Sequence, residues 1–222
     1  MVRVPASVSA PAHAPALTTA RALTTAPAPD LVVFSGLPGT GKSTLARRLA
    51  QRLLAAGRPA LWLRIDTIER ALTASVLRIA RAEDAGYLAA QGVARDAPAL
   101  GVSVVADCVN PWPVTRDQWA ALAPETRARL TELEIACSDA AEHRARIEAR
   151  HAAGKGPDWA AVEARDWRPW QRPVLRLDTA GRPPTQPSLP SARLSASLDA
   201  TRRSGLGKAR KIPLPCVAVF PR

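Results

Sequence analysis

Eight consecutive residues, Gly36-Leu-Pro-Gly39-Thr40-Gly41-Lys42-Ser43, fit the spacing G-x-x-x-x-G-K-[ST] of a Walker A loop, with Thr44 following. The chemistry of that spacing is anion capture. Gly36, Gly39 and Gly41 let the backbone turn so that successive N–H groups converge on a phosphate. The amino end of a following helix adds its dipole, the Lys42 ammonium reaches β- and γ-phosphates, and the Ser43 hydroxyl can join a magnesium ion. Gly36, Gly39, Thr40, Gly41, Lys42, Ser43 and Thr44 are therefore the expected ATP-binding residues, with Mg2+ as companion. A glycine-rich turn of no consequence is the alternative. It is disfavoured by the apolar run Leu31–Phe34 before the loop and the helical pattern after it.

Two carboxylates stand at comparable places. Asp66 follows the apolar stretch from Ala60 to Ile65, where a base could orient and deprotonate an acceptor hydroxyl; the competing role is a helix N-cap. Asp107 follows Val102 to Ala106, the position of an acid that holds magnesium through its water shell. It is not followed by Glu, as many motor-type ATPases require. Trp112, on the rigid Asn110-Pro-Trp-Pro113 loop, and Arg116 are placed near the acceptor, with simple packing and solvation as the alternative. Trp62 and Trp119 are assigned to the core. Arg144, Arg146, Arg150, Arg165 and Arg168 could stabilise charge on a transferring phosphoryl group. Arg144 and Arg150 are preferred, while His143 and His151 read as surface residues.

These residues need a scaffold, and apolar runs alternating with helical patterns predict one: an α/β, three-layer αβα fold around a five-stranded parallel sheet. Strands are expected over Leu31–Ser35, Ala60–Ile65, Val102–Ala106, Leu133–Cys137 and Val174–Leu177. Helices are expected over Lys42–Ala56, parts of Thr67–Leu100, Thr115–Leu130 with a break near Pro124, and Asp139–Ala153. In such sheets ligands bind beyond the carboxyl ends of the strands, where the loop, Asp66, Asp107–Asn110 and Ser138 all fall. Residues 154–172 have the composition of a lid between the fourth and fifth strands.

Composition sets the limits. The chain has 222 residues, a formal charge of +12 and 47% hydrophobic residues, enough for one catalytic domain, expected over 30–180. Beyond Thr179 there are eight basic residues against Asp199 alone, so 181–222 reads as a disordered basic tail; 1–29, without an acid before Asp30, reads as a disordered leader or as translation from an upstream start. What remains on 30–178 is ordinary for an enzyme with an anionic ligand, so a nucleic-acid partner is possible but not favoured. Cys108, Cys137 and Cys216 form no metal or disulfide pattern, which suits a cytoplasmic setting. No run of 18 apolar residues exists to span a membrane.

From Leu31 to about Ala180 the chain resembles the small P-loop kinases of the nucleoside monophosphate kinase-like branch, the AAA-type kinases that include zeta-toxin-like and chloramphenicol phosphotransferase-like enzymes. The resemblance rests on the Walker A loop, Asp66 with Arg70 four residues on, Val-Val-Ala-Asp107, the Arg144–Arg150 stretch, and Pro157-Asp-Trp159 through Trp170 to Leu177-Asp-Thr-Ala180. It implies ATP·Mg bound at the loop, Asp66 and Arg70 serving a small-molecule acceptor, and lid arginines clamping phosphates. Arg64-Ile-Asp66 stands where an adenylylsulfate kinase has Asp-Gly-Asp. Asp107-Cys-Val-Asn-Pro111 stands where adenylate kinase has Asp-Gly-Phe-Pro-Arg, and the Gly-Gly-Gly of shikimate kinase is missing. The resemblance thus implies an ATP-dependent phosphotransferase, with an adenylylsulfate kinase-like activity less favoured. A nucleic-acid end kinase and a nucleotide-binding regulator without transfer are the alternatives.

Overall fold

A computed structural model of the chain describes residues 27–77 and 79–182. The tail expected over 181–222 and the leader expected over 1–29 lie almost wholly outside those residues. Five strands, β1 (Asp30–Ser35), β2 (Ala60–Arg64), β3 (Ser103–Asp107), β4 (Arg129–Ala136) and β5 (Leu175–Asp178), form one parallel sheet in the order β2-β3-β1-β4-β5. Helices α1 (Lys42–Ala55), α2 (Ile65–Thr73), α3 (Ala85–Asp96), α4 (Pro113–Thr126), α5 (Ala140–Ala152) and α6 (Trp159–Glu163) make the crossovers. This is the expected three-layer αβα fold, with α5 leading from β4 into the 154–172 segment that carries α6 before β5.

The layers follow from strand alternation. In β1, Leu31 and Val33 join a core with Leu63, Ile65, Tyr87, Ala90, Val104, Trp119 and Leu122, on the side of α3 and α4. Val32 and Phe34 face the other way, onto Leu45, Leu49 and Leu53 of α1 with Val105, Leu133, Ile135 and Leu177. Every residue of β1 is buried, as a strand flanked by two others and covered on both faces must be. Trp119 is fully buried as expected, and Trp62 packs at the edge of the α1 core.

The strand β4 starts four residues earlier than the apolar run suggested. Thr131, Leu133 and Ile135 alternate inward, and Asp30 of β1 registers with Arg129, so pairing with β1 recruits the polar beginning of the segment. The helix before it stops at Thr126, two residues after Pro124, with Arg127 in the left-handed region at φ 56°. Pro124 has no N–H to give Ala120 O, which weakens the last turn, and the left-handed Arg127 ends the helix short of Leu130. No helix among the described residues is long and apolar enough to cross a membrane.

Candidate active site

The loop between β1 and α1 is built by close approach. Gly39 has φ +83°, and a side chain there would meet Ile147 Cδ1 at 2.6 Å, so α5 packs directly on the loop backbone. Gly41, at φ 86°, takes the left-handed position that starts α1. His143, expected on the surface, is buried: its Nε2 lies 2.7 Å from the Pro38 carbonyl and its ring meets Trp159 edge-on. Helices α5 and α6 are thereby fastened to the loop after β1. Thr40 braces the loop internally, its hydroxyl donating to Leu37 O at 2.9 Å, while its carbonyl accepts from the Thr179 hydroxyl at 2.9 Å.

Lys42, Ser43 and Thr44 line one cavity together with Gly39, Gly41, Arg64, Arg146, Arg150, Thr179 and Arg182. Burial pulls the Lys42 amine below its ordinary value, and Asp107 and Asp66 pull it back upward. The Ser43 hydroxyl donates to Asp107 Oδ1 at 3.1 Å, which joins the two residues expected to share magnesium. Asp107 Oδ2 is buried without a hydrogen bond, though Arg64 Nε stands 3.3 Å away. A hydroxyl, a buried carboxylate oxygen with coordination to spare and a phosphate cradle make a donor set that fits a hard divalent cation carried by a nucleotide.

Asp66 is the second residue of α2, because β2 ends at Arg64 and the helix begins at Ile65. It is therefore not the cap; it is the acid of the first turn, where the helix dipole favours a carboxylate. Strand β2 lies one strand removed from β1, so Asp66 approaches the loop from across β3. Behind it, Glu69 packs against Gly86, and burial with Asp66 nearby raises its carboxyl, opposed by Arg165. Asn110, in the left-handed region at φ 54°, takes a hydrogen bond network inward: Nδ2 donates to Ser35 Oγ and its N–H donates to the Tyr87 hydroxyl at 2.8 Å.

The arginines divide differently from expectation. Arg144 is exposed, pairs with Glu148 at 2.7 Å and does not line the cavity. Arg146 and Arg150 do line it, and Arg146 donates to the Thr179 hydroxyl and carbonyl, both at 2.9 Å, tying α5 to the chain after β5. Arg116, expected beside the acceptor, is buried. Its guanidinium donates to the carbonyls of Asn110, Pro111, Arg168 and Pro169 and stacks near Trp167 and Trp170, at 5.1 and 4.3 Å. Trp112 donates its indole N–H to Asp166 at 3.2 Å, so both residues strap the end of the lid segment to the loop after β3. Arg70 is exposed and bonds back to Asp66 O of its own helix at 3.1 Å. Sequence reasoning left Arg64, Thr179 and Arg182 without a role; only Arg64 had a signal, two residues before Asp66 at the end of a strand.

A family model described as an AAA domain matches residues 31–172. Among solved structures, the chain is similar to the APS kinase of Mycobacterium tuberculosis in complex with AMPPNP and APS, at 21% identity and TM-score 0.55, covering 79% of this chain and 99% of that one. Kti12 of Chaetomium thermophilum in complex with ADP-AlF3 is similar at 21% identity and TM-score 0.56, over 80% and 100% of the two chains. A gluconokinase from Sinorhizobium meliloti 1021 is similar at 17% and 0.51, over 78% and 94%. No curated protein matches significantly. At such identities these likenesses show the fold, that of the P-loop kinases.

Proposed function

The chain belongs to this AAA-domain family, and we propose that within it the protein is an ATP-dependent phosphotransferase, moving the γ-phosphate of ATP to a hydroxyl of a small molecule in the cytoplasm. The observation that carries this reading is the Ser43–Asp107 hydrogen bond beside a cavity lined by Lys42 and Ser43, with the Asp107 and Asp66 carboxylates close enough to act on the Lys42 amine. The backbone of the Gly36–Ser43 loop and Lys42 hold the triphosphate. Ser43 and Asp107 would hold Mg2+, which neutralises charge on the β- and γ-phosphates.

In the transfer, Asp66 accepts the proton of the acceptor hydroxyl as that oxygen bonds to Pγ. The bond from Pγ to the β,γ-bridging oxygen breaks, and ADP leaves with the bonding pair. Lys42 and Arg150 face the charge that builds on the phosphoryl oxygens, with Arg146 fixing the lid helix against the chain after β5. Arg144 has no part in this reading. The acceptor binds on the side of α2, where Asp66 and Glu69 stand one helical turn apart.

Asp66→Asn tests the reading. Acceptor-dependent transfer should fall about a thousandfold, the scale of a lost general base, while ATP affinity stays within a few-fold. Unchanged turnover would remove Asp66 from the mechanism. Radiolabelled transfer from ATP into pooled metabolites and antibiotics finds the acceptor; slow hydrolysis with no acceptor-dependent rate would favour a nucleotide-binding regulator instead.

A further inference from the structure

We propose that Arg64 is a phosphoryl-stabilising cation kept in reserve on the metal-binding carboxylate, and that loading the site with divalent metal and nucleotide turns it toward the γ-phosphate. The inference rests on the kinase reading of the same cavity. Arg64 Nε stands 3.3 Å from Asp107 Oδ2 and a terminal nitrogen 3.6 Å from Asp66 Oδ2, so one guanidinium spans the acid assigned to metal and the acid assigned to the acceptor. The approach to Asp107 is out of line: both Arg64 Nε and Asp107 Oδ2 are buried without a hydrogen bond. Such a pair has Coulomb attraction but lacks the directional bonds that make a buried arginine–carboxylate pair hard to separate.

A divalent cation and a guanidinium compete for the same carboxylate oxygen and repel each other when adjacent. Asp107 Oδ1 accepts from Ser43, so Oδ2, the oxygen that Arg64 faces, is the one open to the metal or to a water of its shell, and either arrival competes with Arg64. The arginine has somewhere to go. Its side chain is 27% exposed and lines the cavity that holds Lys42 and Arg150. Its backbone is held by strand pairing with β3 and by the buried Ile65, so side-chain torsions alone must carry the movement. Released from Asp107, the guanidinium stays beside Asp66 and presents its fork to the oxygens between Lys42 and the acceptor, where a planar donor set suits phosphate. An indole reports the motion, because the guanidinium carbon lies 5.2 Å from the centre of the Trp62 ring.

The test measures Mn2+ required to hold ADP, which has no γ-phosphate for Arg64 to meet, by electron paramagnetic resonance of free Mn2+, in the wild type, Arg64→Gln and Arg64→Lys. Arg64→Gln should lower the Mn2+ requirement by about fivefold, the equilibrium worth of a part-buried ion pair removed from competition. It should also slow acceptor-free ATP hydrolysis by about a hundredfold, the scale of one lost transition-state donor. Arg64→Lys keeps the competing charge, so its Mn2+ requirement should stay near that of the wild type while its hydrolysis slows. A purely structural arginine would do the reverse, loosening Mn2+ when removed. A raised or unchanged requirement in Arg64→Gln overturns the proposal and leaves the kinase reading standing; a wild type that retains no ADP with Mn2+ overturns both. Should the variants not fold, the wild type still decides: adding Mn2+ and a non-hydrolysable ATP analogue must shift the emission component lost in Trp62→Phe, and an unmoved component means that Arg64 has not left its place.

Discussion

The two ends of the sheet each bury an aspartate, and they treat it in opposite ways. At the amino-terminal edge Asp30, with no exposed surface, has one oxygen against Arg58 and the other 2.9 Å from Arg129. At the carboxyl-terminal edge Asp107, also buried, meets one hydroxyl and one misaligned guanidinium that it shares with Asp66. Burying a carboxylate costs free energy that only partners can offset. Asp30 is faced by two cations at the end of the sheet away from the phosphate loop, although its Oδ1, like Asp107 Oδ2, has no hydrogen bond. Asp107 is under-partnered beside a phosphate loop, and its deficit is what a bound cation would fill.

Exchanging the insult between the ends breaks or sharpens that comparison. Asp107→Asn should cut phosphoryl transfer by at least about a hundredfold, as loss of a charge-stabilising group does, with the denaturant midpoint nearly unmoved. Asp30→Asn should do the opposite. It leaves Arg58 and Arg129 facing a neutral amide and should cost about 2 kcal/mol in urea unfolding, less than a fully buried broken pair because both arginines are partly exposed, with kcat little changed. If Asp107→Asn destabilises as much as Asp30→Asn, the carboxyl-end acid is structural and the contrast fails.

The strap around Arg116 belongs to neither end and should behave as structure. Four backbone carbonyls converge on its guanidinium between two tryptophans, a geometry that an ammonium cannot reproduce. Arg116→Lys should lose about 1.5 kcal/mol in thermal or denaturant unfolding, the net worth of hydrogen bonds to a charged group. On α5 the functional contrast is finer. Arg150→Ala should slow transfer by about tenfold, a modest electrostatic contribution from an exposed arginine, whereas Arg144→Ala, which only breaks a surface pair with Glu148, should leave kcat unchanged. Equal effects at the two positions would mean that the cavity does not mark the phosphate side of the helix.

These residues also show what could be read from the chain alone. The loop, the sheet and Asp107 were legible because local spacing fixes them: glycines where the backbone must bend, apolar runs where strands are buried, an acid directly after a strand. Arg144 and Arg146 were not separable, because both flank the buried stripe of His143 and Ile147 on α5 and only packing decides which flank meets the cavity. His143 looked polar and proved to be a buried anchor, since its ring nitrogen finds Pro38 O 105 residues away. Arg116 was misplaced for the same reason: its partners at Arg168 and Pro169 lie more than fifty positions along the chain. Polar residues whose partners are remote in sequence carry no local signal.

The smallest expected effect concerns an acid at the cavity end of the sheet that, unlike Asp107, is fully used. Asp178 closes β5, accepting from Ser138 N and Ala180 N, each at 3.0 Å, and from the Ser138 hydroxyl. These bonds favour the carboxylate and lower its pKa from 3.8 to about 2. A carboxylate depressed by folding stabilises the native state above its ordinary pKa, and that contribution drains away as pH falls through the folded value. Stability attributable to Asp178 should therefore be whole above about pH 4 and lost on approach to about pH 2. Because the side chain is exposed, water screens much of it, and the effect should be smaller than any above. Urea midpoints measured from pH 5 down to pH 2 should fall less steeply in Asp178→Asn than in the wild type. Parallel slopes would show that these bonds survive protonation, and that Asp178 is no more demanding of its charge than the open surface around it.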